Sequence, residues 1–301
     1  MCKKLACLLM IVFGLTVHAQ QIADPHFNVK VENPTFTKNF PRVLFDEAHN
    51  NFDNPNNRYK PFADLIFNDG YHIALNRQPF TKESLASYKI LIIINPLGAE
   101  DSDDEGADGP AFTAEECNAV NDWLRGGGAL LLIADATPFS SAAEVLATKL
   151  GVEMSKGPAA DPANSTKEGN EAGVIVYSRE NHLLGENGIT SGRNDAEKLN
   201  RIVVFGGQSL KGPSGSEAFL RLSDTATADV SDAEKKLSAA GRAQGIAFRV
   251  NRGRVVVLGD AAMLSAQLTG SDNEPVGMNV PNVDNRQLAL NIMHWLSGVL
   301  K

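Results

Sequence analysis

The stretch Val43-Leu44-Phe45-Asp46-Glu47-Ala48-His49 decides the fold, because it joins a short apolar run to a polar turn. Four later apolar runs end in the same way, at Ile94-Asn95-Pro96, Ala134-Asp135-Ala136-Thr137-Pro138, Phe205-Gly206-Gly207-Gln208 and Leu258-Gly259-Asp260. Apolar runs of this length are typical of strands buried on both faces of a parallel sheet. Helical patterns separate the first runs, so the sequence predicts an α/β protein with a doubly wound, mostly parallel sheet.

Helix and turn signals fill the spaces between these runs. Thr113-Ala114-Glu115-Glu116 has the pattern of a capping box, and Gly126 ends the helix that it begins. The turn Asn251-Arg252-Gly253 predicts a hairpin near the carboxyl end, followed by a last helix that begins near Asp284. We further expect Arg201–Phe205 to be a strand of the main sheet, 232–239 to be helical, and His294 to lie on the solvated face of the last helix.

The two ends of the chain differ in character from the middle. Lys3 and Lys4 precede an apolar stretch that runs from Leu5 to Val17, which predicts a signal peptide cleaved after Ala19 and a periplasmic or secreted protein. We expect residues 20–41 to form an extended leader and residues 42–301 to form one α/β domain. Within it, 152–200 is rich in Gly, Asn, Ser and Pro, and we expect a small β-rich insertion there.

Composition excludes several classes of partner. The chain has 28 Lys plus Arg against 36 Asp plus Glu, with a formal charge of −8, and it has no basic stripe. These features argue against nucleic acid and against anionic membrane surfaces. No stretch after the predicted signal peptide approaches the roughly 20 apolar residues of a transmembrane helix, so we expect no transmembrane segment in the mature chain.

The turns that follow the apolar runs carry the candidate site residues. Ligands of open α/β sheets bind outside the carboxyl ends of the strands, so the sequence brings Asp46, His49, Asn95, Asp135 and Asp260 together as one site. As an enzyme, the protein would use His49 as a base that Asp46 orients. A divalent metal, the one cofactor that the residues suggest, would be held by Asp46, His49, Asp135 and Asp260. The remaining residues assigned to ligand binding, beside Asn95, Asp135 and Asp260, are Gly207 and Asn285.

Each of these residues also has a structural interpretation. Asp260 can cap the helical segment after it, Asp135 can hold the Thr137-Pro138 turn, and His49 can bond the adjacent loop backbone. The acidic segment 100–109 resembles the first half of a calcium loop but has Phe112 where the last ligand belongs, so a solvated loop is its ordinary interpretation.

Several segments together resemble a known family. They are Val43 to Asn50, Asn95-Pro96, Gly126-Gly127-Gly128, Gly259-Asp260, Asp284-Asn285 and Asn291 to Leu296. This pattern is similar to an uncharacterised bacterial family of exported class I glutamine-amidotransferase-like domains, related to domains of gliding-motility and ABC-transport auxiliary proteins. The resemblance covers about 42–300 and implies a three-layer, flavodoxin-like fold. It does not imply amidotransferase activity, because the nucleophile motif Gly-x-Cys-x-Gly is missing and Cys117 falls within a predicted helix.

The sequence therefore leaves three functions open. The first is an exported, non-amidotransferase domain that binds a small polar ligand or an envelope protein at the strand ends. The alternative is a periplasmic hydrolase of a carbohydrate or peptide-like substrate that uses His49 and the clustered aspartates, with or without a metal. The third is a structural component of an envelope complex.

Overall fold

The computed structural model of the chain describes residues 21–165, 174–230 and 233–301, and the predicted signal peptide lies outside them. The described strands are β1 (Ile22–Ala23), β2 (Arg42–Asp46), β3 (His72–Asn76), β4 (Ile90–Ile94), β5 (Ala129–Ile133), β6 (Glu153–Ala160), β7 (Val174–Ser178), β8 (Arg201–Phe205), β9 (Gln208–Lys211), β10 (Glu217–Arg221), β11 (Thr227–Val230), β12 (Ala233–Ser238), β13 (Ala243–Val250), β14 (Gly253–Leu258), β15 (Ala266–Thr269) and β16 (Glu274–Gly277). The described helices are α1 (Lys60–Asn68), α2 (Lys82–Leu85), α3 (Ala114–Arg125), α4 (Phe139–Lys149), α5 (Gly188–Ser191) and α6 (Asn285–Ser297).

The parallel part of the main sheet contains four of the five predicted apolar runs, and β3 is its fifth strand. Its five strands lie side by side in the order β14-β5-β4-β2-β3, and every pair among them is parallel. Alternate residues of each strand face opposite sides of a sheet, so each strand serves two cores. On one side, residues such as Phe45 and Ile92 belong to the same core as α1 and α6, while on the other side Leu44 and Ile93 belong to the core that contains α3 and α4. The chain therefore has the three-layer α/β architecture that its sequence predicts.

Antiparallel strands extend this sheet beyond β14. In the described chain β13, β9, β6, β11 and β12 follow in that order, and β10 pairs with β13. The segment expected as an insertion thus contributes β6 to the main sheet. The prediction for Arg201–Phe205 is wrong, because β8 pairs with β7 in a separate two-stranded sheet. The helix expected at 232–239 is also wrong, because Ala233–Ser238 forms the edge strand β12, and pairing with β11 overrides its local helix propensity.

The leader lies across the layer of α1 and α6. β1 adds to a small sheet with β15 and β16, and the ring of Phe36 contacts that of Tyr71 edge-on at 5.2 Å. Thr35 donates its backbone N–H to Asp69, and its hydroxyl lies 2.8 Å from His294 Nε2. The expectation of a solvated His294 is wrong, because the leader covers this face of α6 and leaves His294 only 1% exposed.

None of the helices in the described part of the chain is both long and apolar enough to cross a membrane.

Candidate functional site at the carboxyl edge of the sheet

The parallel strands place four predicted site residues along one edge. Asp46 is the last residue of β2, Asn95 follows β4, and Asp135 and Asp260 come two residues after the ends of β5 and β14. The register pairs Ile94 with Ile133 and Ile133 with Leu258, so these strands end level with one another. Hydrogen bonds, and for Asp260 its charge interactions with Asp135 and Asp53, divide the side chains at this edge into two groups, which we call the imidazole cluster and the carboxylate cluster.

The imidazole cluster consists of Asp46, His49, Asn76 and Glu116. His49 Nδ1 lies 2.8 Å from Asp46 Oδ2, and His49 Nε2 lies 2.9 Å from Glu116 Oε1. Asp46 Oδ1 also accepts a hydrogen bond from Asn76 Nδ2 at 2.9 Å. The rings of Phe80 and Phe112 lie 4.7 Å and 4.6 Å from the His49 ring. Both ring nitrogens are therefore held by carboxylates inside a buried aromatic shell.

The charges around His49 favour its protonated form. Burial alone lowers the pKa of His49, but the hydrogen bonds and negative charges of Asp46 and Glu116 outweigh it and raise this pKa above 6.5. Burial would raise the pKa of Glu116, yet the N–H of Thr113, the imidazole and the N–H of Phe80 together lower it below 4.5. In the protonated form that these charges favour, both ring nitrogens donate to carboxylates, and no lone pair is free to accept a substrate proton.

The carboxylate cluster consists of Asp53, Asn95, Asp135 and Asp260. Asn95 Nδ2 donates at 2.8 Å to both Asp53 Oδ2 and Asp135 Oδ2, and Asn95 Oδ1 accepts from the Asp135 N–H at 2.9 Å. Asp53 also pairs with Arg58 Nε at 3.0 Å. Asn95 thus acts as a bridge, and its positive φ of 43° fits a residue type that tolerates this conformation.

Backbone donors hold the other two carboxylates. Asp135 Oδ1 accepts the Ala261 N–H at 2.7 Å. Asp260 accepts the N–H groups of Phe205, Ala262 and Met263 at 3.0 to 3.2 Å, so it caps the turn that follows β14. The Thr137-Pro138 turn, which sequence reasoning gave to Asp135, is not among the hydrogen-bond partners of that carboxylate.

Burial of several carboxylates close together raises their pKa values. Burial first, and the charge of Asp260 second, raise the pKa of Asp135 to about 7. Burial raises the pKa of Asp260 to about 6, and burial also raises that of Asp53 despite the opposing charge of Arg58. Protons are therefore bound in this cluster near neutral pH.

Gly207 and Asn285 join backbones next to the carboxylate cluster. Gly207 has a φ of +71°, and a Cβ at this position would lie 2.0 Å from the carbonyl oxygen of Gly259. Asn285 is fully buried, where its amide bonds both backbone groups of Val203 and the carbonyl of Met263. Both residues thus serve to pack β8 and the β8–β9 turn against the strand ends.

The four residues expected to bind a metal do not share one cluster. Asp46 and His49 belong to the imidazole cluster, whereas Asp135 and Asp260 belong to the carboxylate cluster. Among the residues that the structure describes, no group of three or more His, Cys, Asp or Glu side chains could hold a metal ion. Cys117 is buried in α3, where burial raises the pKa of its thiol to about 11, so the thiol is not activated as a nucleophile.

Sequence reasoning missed Asp53, Asn76 and the second role of Glu116. Thr113 and Glu116 do form the predicted capping box, but Glu116 also reaches His49, which is 67 residues away. The signal for Asn76 was available, because it ends β3 next to β2 at the same edge. Asp53 lies in the Asn-rich loop after β2, and no local pattern distinguishes it.

An open groove lies between the loops that follow β2 and β4. This rim groove has a volume of about 510 Å³ and is lined by Glu47, Asn50, Asn51, Phe52, Asn54, Asn56, Glu100 and Asp101. Asn50, Phe52, Glu100 and Asp101 are exposed. Sequence reasoning named the neighbouring strand ends but none of these residues as ligands.

Comparisons with known proteins bear on the fold. The chain matches no protein-family model and no curated protein sequence. Among solved structures, the N-terminal domain of mmIFT52 is similar, with a TM-score of 0.59 and 14% identity over 85% of this chain and 97% of that one. A structure described as a ThuA-like protein from Bacteroides uniformis has a TM-score of 0.42 and 11% identity over 88% of this chain and 93% of its own. One described as a GMP synthase component from Thermoplasma acidophilum has a TM-score of 0.43 and 9% identity over 87% and 96%.

At these identities the likeness concerns the fold alone.

Proposed function

We propose that the chain binds a small polar ligand in the rim groove and does not transform it. The observation that carries this proposal is that the titratable side chains at the sheet edge are bonded internally, whereas other polar side chains there are exposed. The titratable groups that catalysis would need are held by internal hydrogen bonds, as His49 is between Asp46 and Glu116. The exposed side chains of the groove, such as Asn50 and Glu100, remain accessible to a ligand.

The lining of the groove indicates the chemistry of the ligand. Asparagine amides both donate and accept hydrogen bonds, whereas Glu47, Glu100 and Asp101 only accept them when ionised. Phe52 adds a 37% exposed aromatic face, which Arg58 supports from 4.2 Å. A neutral or cationic polyhydroxylated molecule matches these groups, and an anion does not. The volume of about 510 Å³ lies in the range of small-molecule sites.

Calorimetric titration with glucosamine, chitobiose and maltose tests this proposal. Asn50→Ala should weaken binding about tenfold, the loss of roughly one good hydrogen bond. Asn282→Ala is a matched control, since Asn50 and Asn282 are both exposed and have φ values of 50° and 59°. Failure of all three sugars to bind, or equal losses in the two variants, would overturn the proposal.

A second candidate, a hydrolase, rests on Asp135. Its pKa of about 7 suits a general acid near neutral pH, and the residue is partly exposed. The enzyme would then use Asp135 on a glycosidic or peptide-like bond, and Asp135→Asn would abolish turnover of chromogenic glycosides or peptides. Absence of turnover in wild-type protein that binds glucosamine would decide for the binding function.

We also propose that the protein is exported and acts in the periplasm or outside the cell, where an envelope protein is the alternative occupant of the groove. This proposal is supported by the basic and apolar segments before Ala19. Mass spectrometry of the protein recovered from fractionated cells should find a chain that begins at Gln20. Recovery of the uncleaved chain from the cytoplasm would contradict it.

A further inference from the structure

A second groove lies at the opposite end of the main sheet, where α3, α4 and β13 end. It has a volume of about 520 Å³, and its lining includes Arg125, Lys149, Arg249, Lys301, Glu217 and Trp295. We call it the basic groove, because four of these side chains are cationic and one is acidic. This concentration of positive charge stands out in a chain whose formal net charge is −8.

The cations of the basic groove are exposed and unneutralised. Within the described parts of the chain, none of Arg125, Lys149, Arg249 and Lys301 has an acidic partner within ion-pair distance. Arg125 and Lys149 end α3 and α4, where a cation complements the helix dipole, so their positions alone need no ligand. That explanation does not extend to Arg249, which lies in the strand β13.

Arg249 occupies a position that is unfavourable for folding. It lies directly opposite Arg254 in the antiparallel pair of β13 and β14, and like charges at such a position destabilise a sheet. Burial and the charge of Arg249 both lower the pKa of Arg254. Arg254 itself has a structural role, since it donates to the carbonyl oxygens of Trp295 and Leu300 at 2.6 Å and fixes the end of α6. Among the described residues Arg249 has no hydrogen-bond partner of this kind, and its guanidinium lies 6.0 Å from the Trp295 ring.

We propose that the basic groove binds a small polyanion, one that carries at least two phosphate or carboxylate groups. A ligand of this kind would neutralise cations that come from four separate segments, and it would relieve the repulsion between Arg249 and Arg254. Charge-assisted hydrogen bonds from arginine and lysine to phosphate or carboxylate oxygens are among the stronger polar contacts in proteins. The groove volume suits a molecule of metabolite size.

Calorimetric titration with pyrophosphate and with citrate in low-salt buffer tests this proposal on the whole chain. Wild-type protein should bind at least one of them, and binding should weaken as salt is added. Stronger binding of pyrophosphate assigns a phosphate ligand, and stronger binding of citrate assigns a carboxylate ligand. The double variant Arg125→Gln/Arg249→Gln should bind at least about tenfold more weakly.

The control is the double variant Lys82→Gln/Lys198→Gln, which removes two exposed lysines that do not line the groove. It changes the net charge by the same amount and should retain wild-type affinity. Arg249→Gln alone should also raise the unfolding temperature, because it removes the repulsion from Arg254. The proposal is overturned if neither anion binds, if the groove variant binds like wild type, or if the control loses as much affinity.

Discussion

Replacing Glu116 by Gln should lower the pKa of His49 and destabilise the fold. The variant loses the charged partner at 2.9 Å from Nε2 and keeps Asp46 at 2.8 Å from Nδ1. A hydrogen bond to a charged group contributes about 1.5 to 3 kcal/mol, so we expect a loss of about 2 kcal/mol in the free energy of unfolding. For a chain of this size that loss lowers the melting temperature by about 4 °C.

The effect should depend on pH in a defined way. The pKa of His49 is raised in the fold, so its contribution to stability is present below about pH 6.5 and is lost as the pH rises through the folded value. The pKa of Glu116 is lowered, so its contribution is present above about pH 4.5 and is lost as the pH falls through the folded value. The wild type and the variant should therefore differ most between about pH 5 and the folded pKa of His49.

Urea unfolding across this pH range and NMR titration of the imidazole nitrogens provide the two measurements. Glu115→Gln is the matched control, because Glu115 is exposed in the same helical turn and does not contact His49. A stability difference that stays constant with pH would refute the reasoning. A wild-type His49 that titrates at or below pH 6.5 would refute it as well.

Three further predictions concern other parts of the fold. Gly207→Ala should lower the free energy of unfolding by more than about 3 kcal/mol, because its Cβ would meet a backbone oxygen at 2.0 Å. Gly215→Ala, whose Cβ would meet no described atom within 4 Å, should lower it by about 1 kcal/mol, and thermal unfolding measures both losses. Carboxyl NMR should find Asp135 and Asp260 titrating near pH 7 and 6. Because the fold raises both pKa values, the protein should lose stability as the pH rises from about 4 through these values. Titration of both carboxyls below pH 5 would contradict this. Asp69→Ala removes the carboxylate that holds the leader, so limited proteolysis should cut within 24–40 faster than in the wild type. An unchanged cleavage rate would count against this anchoring role of Asp69.

The sequence was sufficient for most of the parallel half of the sheet, because β2, β4, β5 and β14 each carry a local signal. An apolar run that stops at a polar turn, such as Ile90–Ile94 before Asn95, is a local pattern that needs no knowledge of its neighbours. Parallel pairing then places the strand ends together without further information. The same pattern gave a wrong prediction for Arg201–Phe205, because an apolar run alone does not determine which strand it pairs with.

Long-range contacts account for the rest of what sequence could not predict. His294 has its partners in Asp69 and Thr35, more than 200 residues earlier, so the helical pattern of α6 alone left it on the solvated face. Glu116 was recognised as a cap from four adjacent residues, but its contact with His49 arises only when the β2 turn meets α3. The sequence thus predicted His49 at the sheet edge, and only the fold reveals that carboxylates bind both of its ring nitrogens.

The most direct test of the account is an NMR titration of the backbone amides with glucosamine. The account predicts saturable shifts confined to the rim groove, in 47–56 and at Glu100 and Asp101, with the buried amides around Asp135 and Asp260 unchanged. Shifts centred on the carboxylate cluster, or no saturable shift in the groove, would contradict it.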